Sequence, residues 1–284
     1  MTIAIDSGPY TFSIKGLSAP VVSELSNLYL ERLTPEKDGF YDFSLSIENT
    51  SPLRRFFRRQ RIISVEGVKP FNPISDQHLL PSIEWAMNWA VAAYQHTKLS
   101  LHSSVVVKND KAILFPASSG SGKSTLATYL GYSGWQMFSD EMALIDPNTL
   151  EVSPLYRPAS LKNKSIDVIK ALCENVNLSN ITRGTHKGDI AHARLYTCGQ
   201  FGHFVPSKPK FVVFPRYVPH KETTIRMISS VESFAMLLRN AFNYNIMGEQ
   251  GFSALSEISS SCQAMQIEYS DAHDLDDYLS GLVE

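Results

Sequence analysis

The residues with the clearest chemical content form one run, Ala117-Ser118-Ser119-Gly120-Ser121-Gly122-Lys123-Ser124-Thr125. Apart from Ala117, which stands where glycine is usual, the run fits the Walker A pattern of a phosphate loop. Gly120 and Gly122 permit a tight path on which successive backbone N–H groups converge and make an anion nest. A helix opening at Lys123 would add the partial positive charge of its N-terminus. On this reading Ser119, Gly120, Ser121, Gly122, Lys123, Ser124 and Thr125 bind the phosphates of ATP. Lys123 reaches the β- and γ-phosphates, and the Ser124 hydroxyl ligates Mg²⁺. GTPases also need a base-specifying Asn-Lys-x-Asp; Asn163-Lys164-Ser165-Ile166 lacks the Asp, which favours ATP.

Phosphoryl transfer needs a carboxylate near the loop, to hold a metal or to accept the hydroxyl proton. Ser139-Asp140-Glu141 follows the apolar pair Met137-Phe138. One helix and one return strand fill the interval from Lys123, which brings the acids beside the loop. Neighbours on a strand point to opposite faces, so one of the two aims at the transferred group. An acidic turn between two strands is the plain alternative. Arg157, Lys162, Lys187 and Arg216 could neutralise the transferring phosphoryl or hold an acidic substrate, and each reads equally well as a solvated surface charge. Lys187 is the best of them. In Thr185-His186-Lys187-Gly188-Asp189, with His192 close behind, a glycine beside a cation and an acid suggests a loop that approaches a ligand. Arg54, Arg55, Arg58, Arg59 and Arg61, around Phe56 and Phe57, would either dock an acidic partner or leader peptide or protect a strand edge.

These residues need elements to place them. Apolar spacing predicts helices over residues 21–33, 82–94 and 123–132, with Gly131 and Gly134 at or beyond the end of the last. Trp85 and Trp89, at helical spacing, read as core. Strands are predicted over 40–47, 99–108 and 112–116, with a strand or hairpin over 136–146. Lys108-Asn109-Asp110-Lys111 is a turn signal between two of them. Strand, loop, helix, strand is the order of a parallel α/β sheet. Residues 1–95 read as a smaller α+β unit and 96–284 as the domain carrying the loop, with no Gly-, Ser- or Pro-rich linker between them.

Composition bounds the function class. Of 284 residues 43% are hydrophobic and 19% charged; Lys and Arg total 26 against 28 Asp and Glu, a formal net charge of −2. That balance lacks the basic excess of a non-specific nucleic-acid binder. No apolar run approaches a membrane span, and Met1-Thr2-Ile3-Ala4-Ile5-Asp6 lacks the pattern of a signal peptide. Cys173, Cys198 and Cys262 are odd in number and widely spaced, which reads as reduced thiols in a cytoplasmic protein rather than a disulfide framework or zinc site.

With His102, Lys123 and the acids 140–141 in this order, the chain resembles HPr kinase/phosphorylase, the bacterial enzyme that phosphorylates a serine of a carrier protein. The loop strand is preceded by the strand Ser100-Leu101-His102-Ser103-Ser104-Val105-Val106, an arrangement that HPr kinase shares with phosphoenolpyruvate carboxykinase. The closer likeness, over nearly the whole chain, is to the HPr kinase-related group called HprK-related kinase A. It is carried by Glu84-Trp85-Ala86-Met87-Asn88-Trp89, Leu101 to Val106, Gly134-Trp135, Arg157-Pro158-Ala159-Ser160-Leu161-Lys162-Asn163, Thr185 to His192, and Asn240-Ala241-Phe242-Asn243-Tyr244.

The resemblance implies an α/β kinase domain of the HPr kinase/phosphoenolpyruvate carboxykinase type. It implies Glu141 as proton acceptor, His102 as active-site histidine, Lys123 as loop lysine, Ser124 and Asp140 at the metal, and Lys187 in the catalytic set. Glu141 stands where HPr kinase has Asp, and the signature segment that supplies HPr kinase's other metal ligand has no clear counterpart, so HPr itself is not the expected acceptor. A Ser or Thr hydroxyl of a peptide or small protein is, with a small PqqD-like peptide chaperone as an implied partner; a homo-oligomer is left open. The alternatives are a kinase of an anionic metabolite and a non-catalytic, ATP-gated binding module.

Overall fold

In the computed structural model, which describes residues 1–36, 39–50, 59–118 and 120–284, Asn109 and Asp110 take up left-handed backbone at φ 51° and 58°. Two such residues make the tight turn that matches strand twist, and they join Ser103–Lys108 to Lys111–Pro116 with Lys108 opposite Lys111. The hairpin stands where the turn signal put it.

Chain contacts divide the molecule into two units. One comprises Met1–Tyr94, Leu155–Asp167 and Val176–Gly202; the other comprises Gln95–Pro154, Val168–Asn175 and His203–Glu284. Both are built from mixed α/β structure.

The hairpin belongs to the second unit. Its six-stranded sheet runs in the order Gln136–Ser139, Ser103–Lys108, Lys111–Pro116, Pro209–Tyr217, Gln263–Tyr269, Thr224–Met227. The three strands Lys111–Pro116, Pro209–Tyr217 and Gln263–Tyr269 are parallel neighbours, and the other pairings are antiparallel. The expected parallel sheet is therefore mixed. The hairpin already occupies one side of the loop strand, so the strand returning from the helix Lys123–Tyr132 pairs with Ser103–Lys108 instead.

Two predicted strands are each divided. Residues 99–108 form Leu99–Leu101 and Ser103–Lys108, and residues 136–146 form Gln136–Ser139 and Ala143–Ile145. The later half of the first pairs with the earlier half of the second in the six-stranded sheet. The remaining halves pair with each other in a small sheet closed by Val152–Ser153. The two segments thus form one antiparallel ribbon that leaves one sheet for the other at His102 and at residues 140–142. A core of Leu99, Leu101, Val105, Phe138, Ala143 and Ile145, all fully buried, packs along both halves.

The first unit carries a six-stranded sheet in the order Leu33–Pro35, Thr2–Asp6, Thr11–Lys15, Phe43–Asn49, Gln60–Val65, Ile74–Ser75. Its parallel pair, Thr11–Lys15 with Phe43–Asn49, requires a crossover, which contains the helix Ala19–Tyr29. That helix stops short of the predicted residue 33 because Leu30 turns to φ 54°. The second helix, Leu79–Tyr94, starts earlier than predicted, with Pro81 in its first turn, where a missing N–H costs nothing. A smaller sheet joins Ala159–Lys162, Gly188–Arg194, Asn177–Leu178 and Thr182–Thr185.

Inside this unit Arg157 and Glu84 form a buried ion pair, Nη2 to Oε2 2.5 Å, and Tyr29 donates to the same carboxylate at 2.8 Å. Burial works against the guanidinium charge, but the Glu84 carboxylate outweighs it and holds Arg157 above its ordinary range. Arg157 is thus committed to the interior. Trp85 is buried as expected, whereas Trp89 is only half-buried, edge-on to Tyr94.

No helix among the described residues is long and apolar enough to cross a membrane. Cys173, Cys198 and Cys262 are free thiols. Of the basic run, Arg54, Arg55 and Arg58 lie outside the described residues, and Arg61 pairs with Asp76 at 2.6 Å.

Candidate active site

The bent ribbon brings three of the expected residues together in the second unit. His102 sits at the bend of one strand, and residues 140–142 form the bend of the other, where the Met142 N–H donates to Ser139 Oγ at 3.1 Å. The His102 ring places Nδ1 3.2 Å from the backbone carbonyl of Glu141 and Nε2 3.4 Å from Nζ of Lys123. A carbonyl only accepts and an ammonium only donates. A neutral ring with its proton on Nδ1 satisfies both contacts and leaves the Nε2 lone pair toward the lysine.

Asp140 is buried, and Ser104, fully buried on the facing strand, donates to its Oδ1 at 3.2 Å and to its backbone carbonyl. Glu141 is half-buried. The two acids differ in environment, with the second in the more open position, but both lie in the bend between Gln136–Ser139 and Ala143–Ile145 and not on a strand, so the expected alternation does not apply to them.

Lys123 is the first residue of its helix and is 5% exposed. Gly122 stands at the N-cap of that helix at φ 92° and, as a glycine, offers the first-turn N–H groups no side-chain cap. Such donors are the usual anion-binding element of a helix N-terminus. Gly122 has little choice of residue: a Cβ there would come within 3.0 Å of Tyr217 Cβ and of the Tyr269 hydroxyl. The Tyr217 N–H donates to the Ser121 carbonyl at 2.9 Å, and Tyr269 Oη donates to that of Gly122 at 3.5 Å, which pins the turn to two parallel strands. Gly120 has φ 90° and nothing within 4 Å of where its Cβ would stand. Ser121 Oγ is buried and has no hydrogen-bond partner among the described residues. Ser124 and Thr125 follow in the first turn, both half-buried. Ser119 lies outside the described residues.

A glycine backbone over open space at Gly120, the buried Ser121 hydroxyl, a helix N-terminus with a glycine at its cap and a buried ammonium fit a polyphosphate. Ser124 and Asp140 offer the hard oxygen ligands that Mg²⁺ takes in small number beside phosphates. Among the described residues no three His, Cys, Asp or Glu side chains gather into a metal site.

Lys187, Lys162 and His192 are residues of the first unit; Lys187 Nζ stands 4.6 Å from the centre of the Trp85 ring, and His192 is buried. Arg216 pairs with Glu268 at 3.0 Å on the surface of the second unit.

One segment in contact with His102 had no chemical signal in the sequence beyond the resemblance. Residues 240–242 run antiparallel to residues 100–102: the His102 N–H donates to the Asn240 carbonyl at 2.6 Å and the Phe242 N–H to that of Ser100 at 2.9 Å. Asn243, buried, accepts from the Ser100 N–H at 3.0 Å and donates to the carbonyls of Lys98 at 2.8 Å and Gln95 at 3.2 Å. The Phe242 ring stands edge-on to His102 with centroids 5.7 Å apart. This segment holds the histidine in place.

The fold has a distant structural likeness. It is to an HPr(Ser) kinase/phosphatase from Coxiella burnetii, 12% identical, over 65% of this chain and 93% of that one, with a TM-score of 0.29. No protein-family model and no curated protein matches the chain.

Proposed function

We propose that this chain is an ATP-dependent kinase that transfers the γ-phosphoryl group to a Ser or Thr hydroxyl of a peptide or small protein. The observation that supports the reading is the His102 ring, which meets Lys123 Nζ at the start of one helix on one side and the Glu141 backbone carbonyl on the other. The residue pattern that resembles HprK-related kinase A adds to it.

ATP with Mg²⁺ supplies the phosphoryl group and neutralises part of its charge. The amides at Gly122 to Thr125 and the Lys123 ammonium bind the phosphates and oppose charge that builds up in transfer. Ser124 and Asp140 would hold Mg²⁺ when it is bound. Glu141, the more open of the two acids, takes the proton of the acceptor hydroxyl. His102 keeps the Lys123 ammonium in position through Nε2 and is itself tied to the Glu141 backbone, so the cation and the base are held on one support.

The test uses γ-labelled ATP, the purified chain and a cell lysate, followed by location of the labelled residue. Glu141→Gln should lower labelling by about 10²- to 10⁴-fold with ATP binding retained, and Lys123→Ala should lose ATP binding. A Glu141→Gln chain that labels within tenfold of wild type removes the proton-acceptor role. A Lys123→Ala chain that binds ATP normally removes the nucleotide site.

A further inference from the structure

Three segments singled out in the sequence meet in the first unit without contributing to the reaction above. Lys162 ends the strand Ala159–Lys162, where it lies opposite Ile190 of Gly188–Arg194. Asn163 fastens the next turn: its Oδ1 accepts from the Asp189 N–H at 3.0 Å, and its own N–H donates to the Asp189 carbonyl at 2.8 Å. A Cβ on Gly188 would lie 2.2 Å from Asn163 Oδ1, so this approach demands glycine. The turn so held carries His186 and Lys187 onto Trp85 of the helix Leu79–Tyr94. Lys187 Nζ lies 4.6 Å from the ring centre, and the His186 ring meets it edge-on at 4.6 Å.

Trp85 is the second observation. Its ring is nine-tenths buried, and its N–H is buried with no acceptor among the described residues. Buried donors are nearly always satisfied, and an indole N–H can only donate. An oxyanion is an acceptor of the kind that such a donor lacks, and it is the group that nearby cations attract.

From this placement we infer that Lys162, His186 and Lys187, with Trp85 as their floor, form an oxyanion-binding site that takes a phosphate or carboxylate group. The electrostatics agree. Desolvation lowers the pKa of His186, and the three charges that act on it, Lys187, His78 and Lys162, lower it further. A local excess of one sign concentrates ligands of the other. Asp189 of the same hairpin turns back to accept from the Gly184 N–H at 3.0 Å and to face Arg183 at 3.9 Å. The site does not use the Lys123 turn, so it stands or falls separately from the kinase reading.

The experiment follows the His186 ring proton by NMR across pH, with the full chain and with ionic strength held constant by KCl. Inorganic pyrophosphate represents the phosphate source and succinate the carboxylate source; a His186→Gln chain assigns the signal. One or both anions should raise the His186 midpoint by roughly one unit, the effect of an opposite charge within about 4–6 Å. The rise should persist in Lys123→Ala and disappear in the Lys162→Ala/Lys187→Ala double variant. That variant has a higher starting midpoint, since two repelling charges are gone, and so only the anion-dependent rise counts. A rise with pyrophosphate alone or succinate alone names the source. No rise with either, an equal rise with KCl alone, or a rise abolished by Lys123→Ala or kept by the double variant overturns the site.

Discussion

Arg157 reads in the sequence as a cation for the substrate and in the structure as half of a buried pair, and one substitution separates the two roles. Arg157→Met removes the bonds to Glu84 from Nε at 3.1 Å and from Nη2 at 2.5 Å, and the bond from Nη2 to the Glu84 carbonyl at 2.9 Å. The side chains are 6% and 4% exposed, so water cannot replace them. Among the described residues the Glu84 carboxylate then keeps only the Tyr29 hydroxyl, at 2.8 and 3.1 Å to its two oxygens. Breaking such a pair from one side costs about 3–5 kcal/mol. With a urea slope near 2 kcal/mol/M, the unfolding midpoint of the unit should fall by roughly 2 M. Trp85, beside Glu84 on the same helix, gives the fluorescence signal. Replacing both partners with Glu84→Leu/Arg157→Met should recover most of the loss, since no lone charge remains buried. A loss under about 1 kcal/mol, accompanied by a hundredfold drop in phosphoryl transfer, would refute the argument and return Arg157 to the substrate.

Two further outcomes test the second unit. Gly122→Ala forces a left-handed residue with its Cβ against Tyr217 and Tyr269; strain of about 1–3 kcal/mol should weaken ATP binding by roughly 5- to 150-fold in calorimetry, and binding within twofold of wild type contradicts the loop geometry. Asn243→Ala leaves the Ser100 N–H and the Lys98 and Gln95 carbonyls without their partner. At about 1 kcal/mol for each bond it should cost roughly 2–4 kcal/mol in urea unfolding and lower kcat more than KM. Unchanged kcat would show that the 240–243 segment does not position His102.

The helix Lys123–Tyr132 and the turn at Asn109-Asp110 were legible because their causes are local. A loop lysine opens the helix, and two residues tolerant of positive φ make the turn. The bends at His102 and at residues 140–142 were not, because alternation reports which face is buried and is silent on which sheet a strand joins. His102 has neither proline nor glycine beside it to mark a break. Arg157 and Lys187 share a charge and a neighbourhood of polar residues in the sequence, yet one is inside against Glu84 and the other outside on Trp85. The partner that decides the difference is 73 positions from Arg157. The return of Leu155–Asp167 and Val176–Gly202 to the first unit likewise leaves no mark in composition.

The bent ribbon has a consequence for how this chain can vary. His102 and the Glu141 carbonyl are 39 positions apart, but their spacing is set by rungs across two strands rather than by the length of chain between them. Residues added at the Asn109-Asp110 tip or in the turn after the helix Lys123–Tyr132 lengthen the detour and leave the rungs alone. One residue lost between Ser103 and Val107 shifts every rung and turns each side chain to the opposite face. The site therefore tolerates changes in length at its periphery and none along the ribbon.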